Sequence, residues 1–214
     1  MNQHYNQPAR NLFSLCLVSF AVVGLVALLI WSKADLFWAL NQLHSYPGDM
    51  LLRYFTHVGD GIFMLLMAVV AMGLGKRKLG IMMILAFLLS GLCVQVVKRL
   101  QQQPRPALYF QEQPQLKGNY TIHRPDQRTL TGRNSFPSGH TTTAFAMFSL
   151  LAFATRSKWQ QAAFFFAALL AGFSRIYLGH HFFSDVYAGA LLGFTTAVVV
   201  YWWLHKRTQA VITT

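Results

Sequence analysis

The chain has 214 residues, 54% of them hydrophobic and only 11% charged, whereas a soluble domain carries about 25% charged residues. That balance argues against a soluble protein and predicts an all-α chain dissolved in lipid. The formal charge of +12 invites a nucleic-acid reading, but its placement argues otherwise. Basic residues flank apolar runs (Lys76-Arg77-Lys78, Arg156 with Lys158, Lys206-Arg207) or sit in one long loop, with no basic recognition helix or aromatic-interleaved sheet.

Leu12 to Trp31 is about twenty residues without a charge, enough at ~1.5 Å per residue to cross a hydrocarbon core of roughly 30 Å. It lacks the small-residue cleavage site of a secretory signal and is too long for one, so it reads as a retained anchor. Ile62 to Gly75 is shorter but strongly apolar and extends back through Gly61. Leu79 to Val97 is a full span. Thr141 to Thr155, Gln160 to Phe173 and Val186 to Leu204 bring the predicted set to six transmembrane helices. Together they make one membrane domain over residues 1–214, with no soluble domain attached. Cys16 and Cys93 lie inside spans and read as small buried residues, not as a disulfide or zinc framework. Gly189 and Gly193 form a small-xxx-small pair suited to close helix packing within the chain.

Six spans put both termini on one side with Arg10, Lys76, Arg77, Lys78, Arg156, Lys158, Lys206 and Arg207. The opposite side carries the other ten of the 18 basic residues and all six acids. Setting aside Lys98, Arg105 and Arg175 as functional leaves seven against eight, close to a tie. The termini are placed in the cytoplasm and the site on the opposite face of the membrane.

Between the third and fourth spans runs a long extramembrane loop, from about Arg99 to Pro137. Pro104, Pro106, Pro114 and Pro125 are expected to break regular structure along it. Arg124, Arg128 and Arg133 suit either an anionic head group or plain solvation at an anionic bilayer surface, and both readings stay open. Tyr109, Phe110 and Tyr120 suit an interfacial belt.

Three short clusters carry the chemistry. Lys98 ends the third span, and Arg105 follows between Pro104 and Pro106, whose rings stiffen the backbone that aims its planar fork at phosphate oxygens. Lys98 adds a compact point charge, although taken alone it reads as a stop signal at a helix end. Pro137-Ser138-Gly139-His140 precedes the fourth span, where a helix N-terminus offers free N–H groups and a positive dipole end to an anion. Gly139 lets a phosphate approach the backbone, Ser138 offers a hydroxyl, and His140 stands where a general acid can protonate a leaving alkoxide. In the last cluster, Ser174-Arg175 is followed by His181 and Asp185. These two are i and i+4, so on a helix face the carboxylate accepts from one ring nitrogen and leaves the other to attack phosphorus. His180 competes for that role, but its i+4 neighbour is Ser184, a weaker anchor.

In this order, Lys98 with Arg105-Pro106, then Pro137 through His140, then Ser174-Arg175 with His181 and Asp185 resembles the complete signature of the type 2 phosphatidic acid phosphatase (PAP2) family. No position departs from it. The resemblance implies a helical membrane bundle and hydrolysis of a lipid phosphate without metal or other cofactor through a phosphohistidine. It implies His181 as nucleophile, His140 as general acid and Asp185 as its orienting group, with Lys98, Arg105, Ser138, Gly139 and Arg175 as phosphate ligands. A vanadium haloperoxidase shares this type of site but is soluble, and a non-catalytic lipid-binding or transport relative is expected to have lost one histidine. Among substrates, lipid A, undecaprenyl diphosphate, phosphatidylglycerol phosphate and phosphatidic acid all fit an interfacial site. The first two suit a site facing the periplasm.

Overall fold

The structure is a computed structural model that describes residues 11–116 and 121–212. Arg10 and Tyr120, and the side chains of Lys206 and Arg207, lie outside the described residues. Among those described the fold is all-helical: α1 (Leu12–Ile30), α2 (Lys33–Asn41), α3 (Tyr46–Phe55), α4 (Gly61–Gly73), α5 (Arg77–Gln101), α6 (Pro106–Glu112), α7 (Gly139–Phe153), α8 (Lys158–Tyr177) and α9 (Phe183–Ile212), with short 3₁₀ turns at Thr56–Gly59 and Pro114–Leu116. Each apolar run read from the sequence overlaps one of these helices.

Serine starts four of them. Ser32, Ser45, Ser138 and Ser157 are extended N-caps whose hydroxyls accept from the amide three residues on, satisfying a donor that the helix cannot.

Three helical stretches are long and apolar enough to cross a membrane: Leu12–Ile30, Arg77–Glu112 and Phe183–Leu204. A fourth is available if Tyr46–Gly59 and Gly61–Gly73, which meet at a 63° bend, count as one broken span. The expected count of six is therefore not reached on length and composition. The physical reason lies in α7 and α8. At 15 residues α7 is only about 22 Å long. It is also the central pillar, packed by α5, α8 and α9 and buried along nearly its whole length. A helix enclosed by protein needs no lipid-facing Leu and Val, so Thr141, Thr142, Thr143, Ser149 and alanines fill it. Lys158, Gln160 and Gln161 at one end and Arg175 at the other depress the apolarity of α8.

Gly189 and Gly193 face α7: a Cβ on Gly193 would lie 2.2 Å from the Thr142 carbonyl oxygen, and one on Gly189 2.7 Å from that of Ser138. The small-residue pair thus lets α9 touch the backbone of α7, fixing the two helices that carry site residues.

The sequence reading left α2, α3 and α6 unassigned, and α6 corrects the expectation for the long loop. Pro106 occupies its first turn, where a missing N–H costs nothing, so the proline starts a helix instead of breaking one. Phe110 is also corrected. It is buried with Phe37 and Phe182 in a small second core, ring centroids 5.3–6.4 Å apart, not displayed in an interfacial belt. Tyr109 packs edge-on against Phe182 in the same cluster.

Candidate active site

The loop ends are stitched together beside this second core. Arg105 N–H donates to the Gly132 carbonyl at 3.1 Å and Ser135 N–H to that of Gln103 at 3.0 Å. Farther along, Asn41 ties the loop down, accepting from His123 N–H and donating to the carbonyls of His123, Ile176 and Tyr177. These bonds close the loop over a cavity of about 580 Å³ whose wall includes Lys98, Arg105, Gly139, His140, Arg175 and His181. The three sequence clusters, separated by up to 87 positions from Lys98 to Asp185, converge there.

His181 and Asp185 meet, but not on a helix face as expected. His181 lies in the turn before α9, and Asp185 in the first turn of α9. Asp185 Oδ2 takes three donors: His181 Nδ1 at 3.3 Å, Ser135 Oγ at 2.5 Å and Phe182 N–H at 3.0 Å. An acid in the first turn also suits the helix dipole. The pair is sealed, with side-chain exposures of 3% and 0%. Burial, only partly opposed by Asp185, pushes the His181 pKa down to about 4, so the ring is neutral at pH 7. With Nδ1–H directed at the carboxylate, the Nε2 lone pair is the free one.

His180 is equally buried but differently placed. Its Nε2 lies 3.0 Å from Asp126 Oδ2, out of line for a hydrogen bond, and burial lowers its pKa as well. The sequence comparison with Ser184 was thus the wrong one, since the carboxylate near His180 comes from the loop.

Both motif arginines are held from outside their motifs. Arg175 Nη1 donates to Thr56 Oγ1 at 2.7 Å, while its buried Nε has no acceptor among the described residues. Arg105 Nε donates to Asn134 Oδ1 at 2.9 Å and Nη1 to the His180 carbonyl at 3.2 Å. Flanking prolines alone do not aim this side chain, as the sequence suggested; Asn134 does. Of the loop arginines, Arg128 reaches the cavity, Arg133 pairs with Glu112 at 2.5 Å, and Arg124 bonds Thr129.

At the mouth of α7, Ser138 is fully buried and acts as the cap, its oxygen accepting from Thr141 Oγ1 at 2.8 Å and from Thr141 N–H. Its own amide donates to the Asp185 carbonyl at 2.9 Å, which locks α7 to α9. Only its hydroxyl proton remains to offer an anion. Gly139 is informative: a Cβ there would meet nothing closer than Val94, at 3.9 Å, so packing does not demand glycine. The space it leaves opens on the cavity. The first amides of α7 have no carbonyl one turn earlier to bond.

His140 Nε2 lies 2.6 Å from Asp60 Oδ1, and Asp60 Oδ2 accepts from His57 Nδ1 at 2.7 Å. A second cleft of about 290 Å³ between α4, α5 and α7 shares Asp60, Lys98 and His140 with the main cavity. Among the described residues no three His, Cys, Asp or Glu side chains converge as metal ligands.

Sequence reasoning missed Thr56, His57, Asp60, Asp126, Asn134 and Ser135. The acids were findable: with six in the whole chain, all assigned to one side, each was a candidate.

The sequence profile of the PAP2 superfamily matches residues 79–209, and the chain belongs to that family. Among curated relatives, a lipid A 1-phosphatase of Porphyromonas gingivalis is 43% identical over 89 residues, 40% of this chain and 19% of the relative. A phosphatidylglycerophosphatase B of Bacillus subtilis is 31% identical over 154 residues, 64% of this chain and 66% of that protein. The crystal structure of Aquifex aeolicus LpxE superposes with a TM-score of 0.66 at 27% identity, covering 80% of this chain and 96% of the other. The chain thus spans about a fifth of the length of the first of these relatives and about two thirds of the second.

Proposed function

We propose that this chain is an integral membrane phosphatase that removes phosphate from a lipid phosphomonoester or diphosphate through a phosphohistidine at His181. The observation that carries this reading is a neutral imidazole, fixed by a sealed carboxylate, with its free nitrogen at a cavity walled by Lys98, Arg105 and Arg175.

In the first half-reaction, His181 Nε2 attacks phosphorus, the P–O bond to the lipid breaks, and its electron pair leaves on the alkoxide or phosphate oxygen. His140 supplies the proton to that oxygen. As His181 bonds phosphorus its ring becomes cationic, and Asp185 balances the charge. In the second half, neutral His140 takes a proton from water, the oxygen bonds phosphorus, and the N–P electron pair returns to His181. Three cations and the first amides of α7 spread their charge over the phosphoryl oxygens, where loose transition states gain most of their stabilisation. No step requires a metal, and activity is expected to persist in chelator.

The second cleft supports a lipid substrate. It runs along α5 past Phe87, Gly91 and Val94 to Lys98, a path for an apolar tail whose phosphate ends at the site. The reading extends to a bacterial inner membrane with six spans and the site on the periplasmic side. Lipid A and undecaprenyl diphosphate are the favoured substrates, ahead of phosphatidylglycerol phosphate and phosphatidic acid. The test is phosphate release by purified protein in detergent from all four lipids, with and without EDTA, beside His181→Ala. Release from none of them, release unaffected by His181→Ala, or activity lost in EDTA and restored by Mg²⁺ would each refute a stated part of the reading.

A further inference from the structure

We propose that Asp60 is a positioning residue that holds His140 in its proton-donating form, buttressed by His57. This rests on the reading of His140 as general acid.

The conformation of Asp60 is the first observation. It occupies the N-cap of α4 in extended conformation, where an aspartate ordinarily accepts from an amide in the first turn. Here the side chain makes no cap bond. Instead both oxygens turn to imidazoles, Oδ1 to His140 Nε2 at 2.6 Å and Oδ2 to His57 Nδ1 at 2.7 Å. Forgoing a cap needs a reason, and two contacts with imidazoles supply it.

The backbone is shaped for the same contact. A Cβ on Gly59 would sit 2.8 Å from the His140 carbonyl oxygen and 3.0 Å from its Cβ. Glycine therefore lets the turn press against the mouth of α7. The 63° bend between Tyr46–Gly59 and Gly61–Gly73 falls at this point, so Asp60 projects from the corner of a broken helix pair.

The charges around His140 make the carboxylate necessary. Arg175 from α8, Lys98 from α5 and Arg105 from the loop share its cavity, and His181 faces it from the turn before α9. Burial first, and then Arg175, oppose an imidazolium at position 140 and push its pKa down to about 3, and Asp60 is the neighbour that favours the protonated ring. Asp60 is the carboxylate in contact with it, Asp126 lying instead beside His180. Nε2 lies against Asp60 in a 2.6 Å charge contact that is out of line for a hydrogen bond, which leaves Nδ1–H as the proton delivered. After transfer the ring is neutral with Nε2–H still beside the carboxylate, ready to accept a proton from water at Nδ1. The exposed His57 donates to the other oxygen and fixes the plane of the carboxylate.

The discriminating measurement is leaving-group dependence, read as single-turnover release of alcohol by the full chain in detergent. Two esters are compared, dodecyl phosphate and 2,4-dinitrophenyl phosphate. An alkoxide needs a proton to leave, and a dinitrophenolate does not. Asp60→Asn is expected to slow release from dodecyl phosphate by about 10²-fold and from the dinitrophenyl ester by less than about fivefold, with little change in KM. His140→Ala should show the same selectivity with a larger loss. Gly59→Ala, which displaces the carboxylate without removing it, and His57→Ala should give weaker versions confined to the alkyl ester, so the proposal stays testable if Asp60→Asn does not fold. Equal losses on both esters in the Asp60, Gly59 and His57 variants, beside a selective loss in His140→Ala, would overturn the proposal alone. An unselective His140→Ala would overturn the reading beneath it.

Discussion

Two imidazole–carboxylate pairs face one another across the cavity, and they differ in how they meet water. His181 with Asp185 is sealed at 3% and 0% side-chain exposure, whereas His140 with Asp60 is open at 33% each. Sealing suits a nucleophile, whose ring must stay neutral and unhydrated until phosphorus arrives. Openness suits an acid that must later meet water. In the proposed mechanism the same two residue types serve opposite steps, and access to water distinguishes them, since burial lowers the pKa of both rings.

The sharpest way to break the comparison is to remove each ring in turn. His181→Ala should abolish turnover, by at least about 10⁴-fold, for every leaving group, because no activated ester replaces a missing nucleophile. His140→Ala should be selective, as argued above. If both variants lost activity alike on alkyl and dinitrophenyl esters, the two pairs would not have separate roles. Asp185→Asn comes next. The amide oxygen can still accept from the Phe182 N–H and His181, but a neutral side chain cannot balance the charge the ring gains as it bonds phosphorus, and a loss of about 10²–10³-fold in kcat is expected with folding preserved. Activity within tenfold of the parent would mean that the pair is merely structural.

A third prediction concerns protonation itself. Burial holds His181 near 4, so a ¹⁵N-histidine titration, with the signal assigned by its loss in His181→Ala, should show this ring neutral from pH 7 down to about 5. The proton is gained only as pH falls through the depressed value, so activity limited by this ring survives in mild acid. A titration near the ordinary value of 6.5 would show that the pair is not sealed.

The unequal legibility of the two pairs in the sequence has the same origin. His181 and Asp185 are four residues apart, and one turn of local geometry brings them together whether or not a helix contains them both. Arg105 and Arg175 were legible as charges between prolines or beside an apolar span. Asp60 belongs to His140 only through a bent helix pair docked on α7, 80 positions away in sequence. Thr56, Asn134 and Ser135 were hidden for the same reason: each serves a motif residue across a tertiary contact. The helices obeyed a similar division. Lipid-facing α1, with Leu15, Val23 and Leu29 all more than 60% exposed, announced itself by composition. Enclosed α7, rich in threonine and alanine, matched its predicted run but not the length of a span.

The smallest expected effect tests how the sealed pair is built. Ser135 Oγ donates to the same oxygen of Asp185 that faces His181, and also lies 3.4 Å from His181 Nδ1. A carboxylate that accepts this extra donor is a weaker base toward the ring, but it is also better fixed. Removing the hydroxyl with Ser135→Ala leaves Asp185 Oδ2 two donors, His181 Nδ1 and the Phe182 amide, and frees charge for the imidazole. The His181 pKa should then rise slightly, because the carboxylate favours the protonated ring more strongly. The rate should fall about threefold to tenfold, because one charge-assisted hydrogen bond that orients the carboxylate is gone. The two effects have separate readouts, a titration midpoint and a kcat. A fall in rate without any shift of the midpoint would place the role of the Ser135 hydroxyl in orienting the carboxylate, not in the electrostatics of the pair.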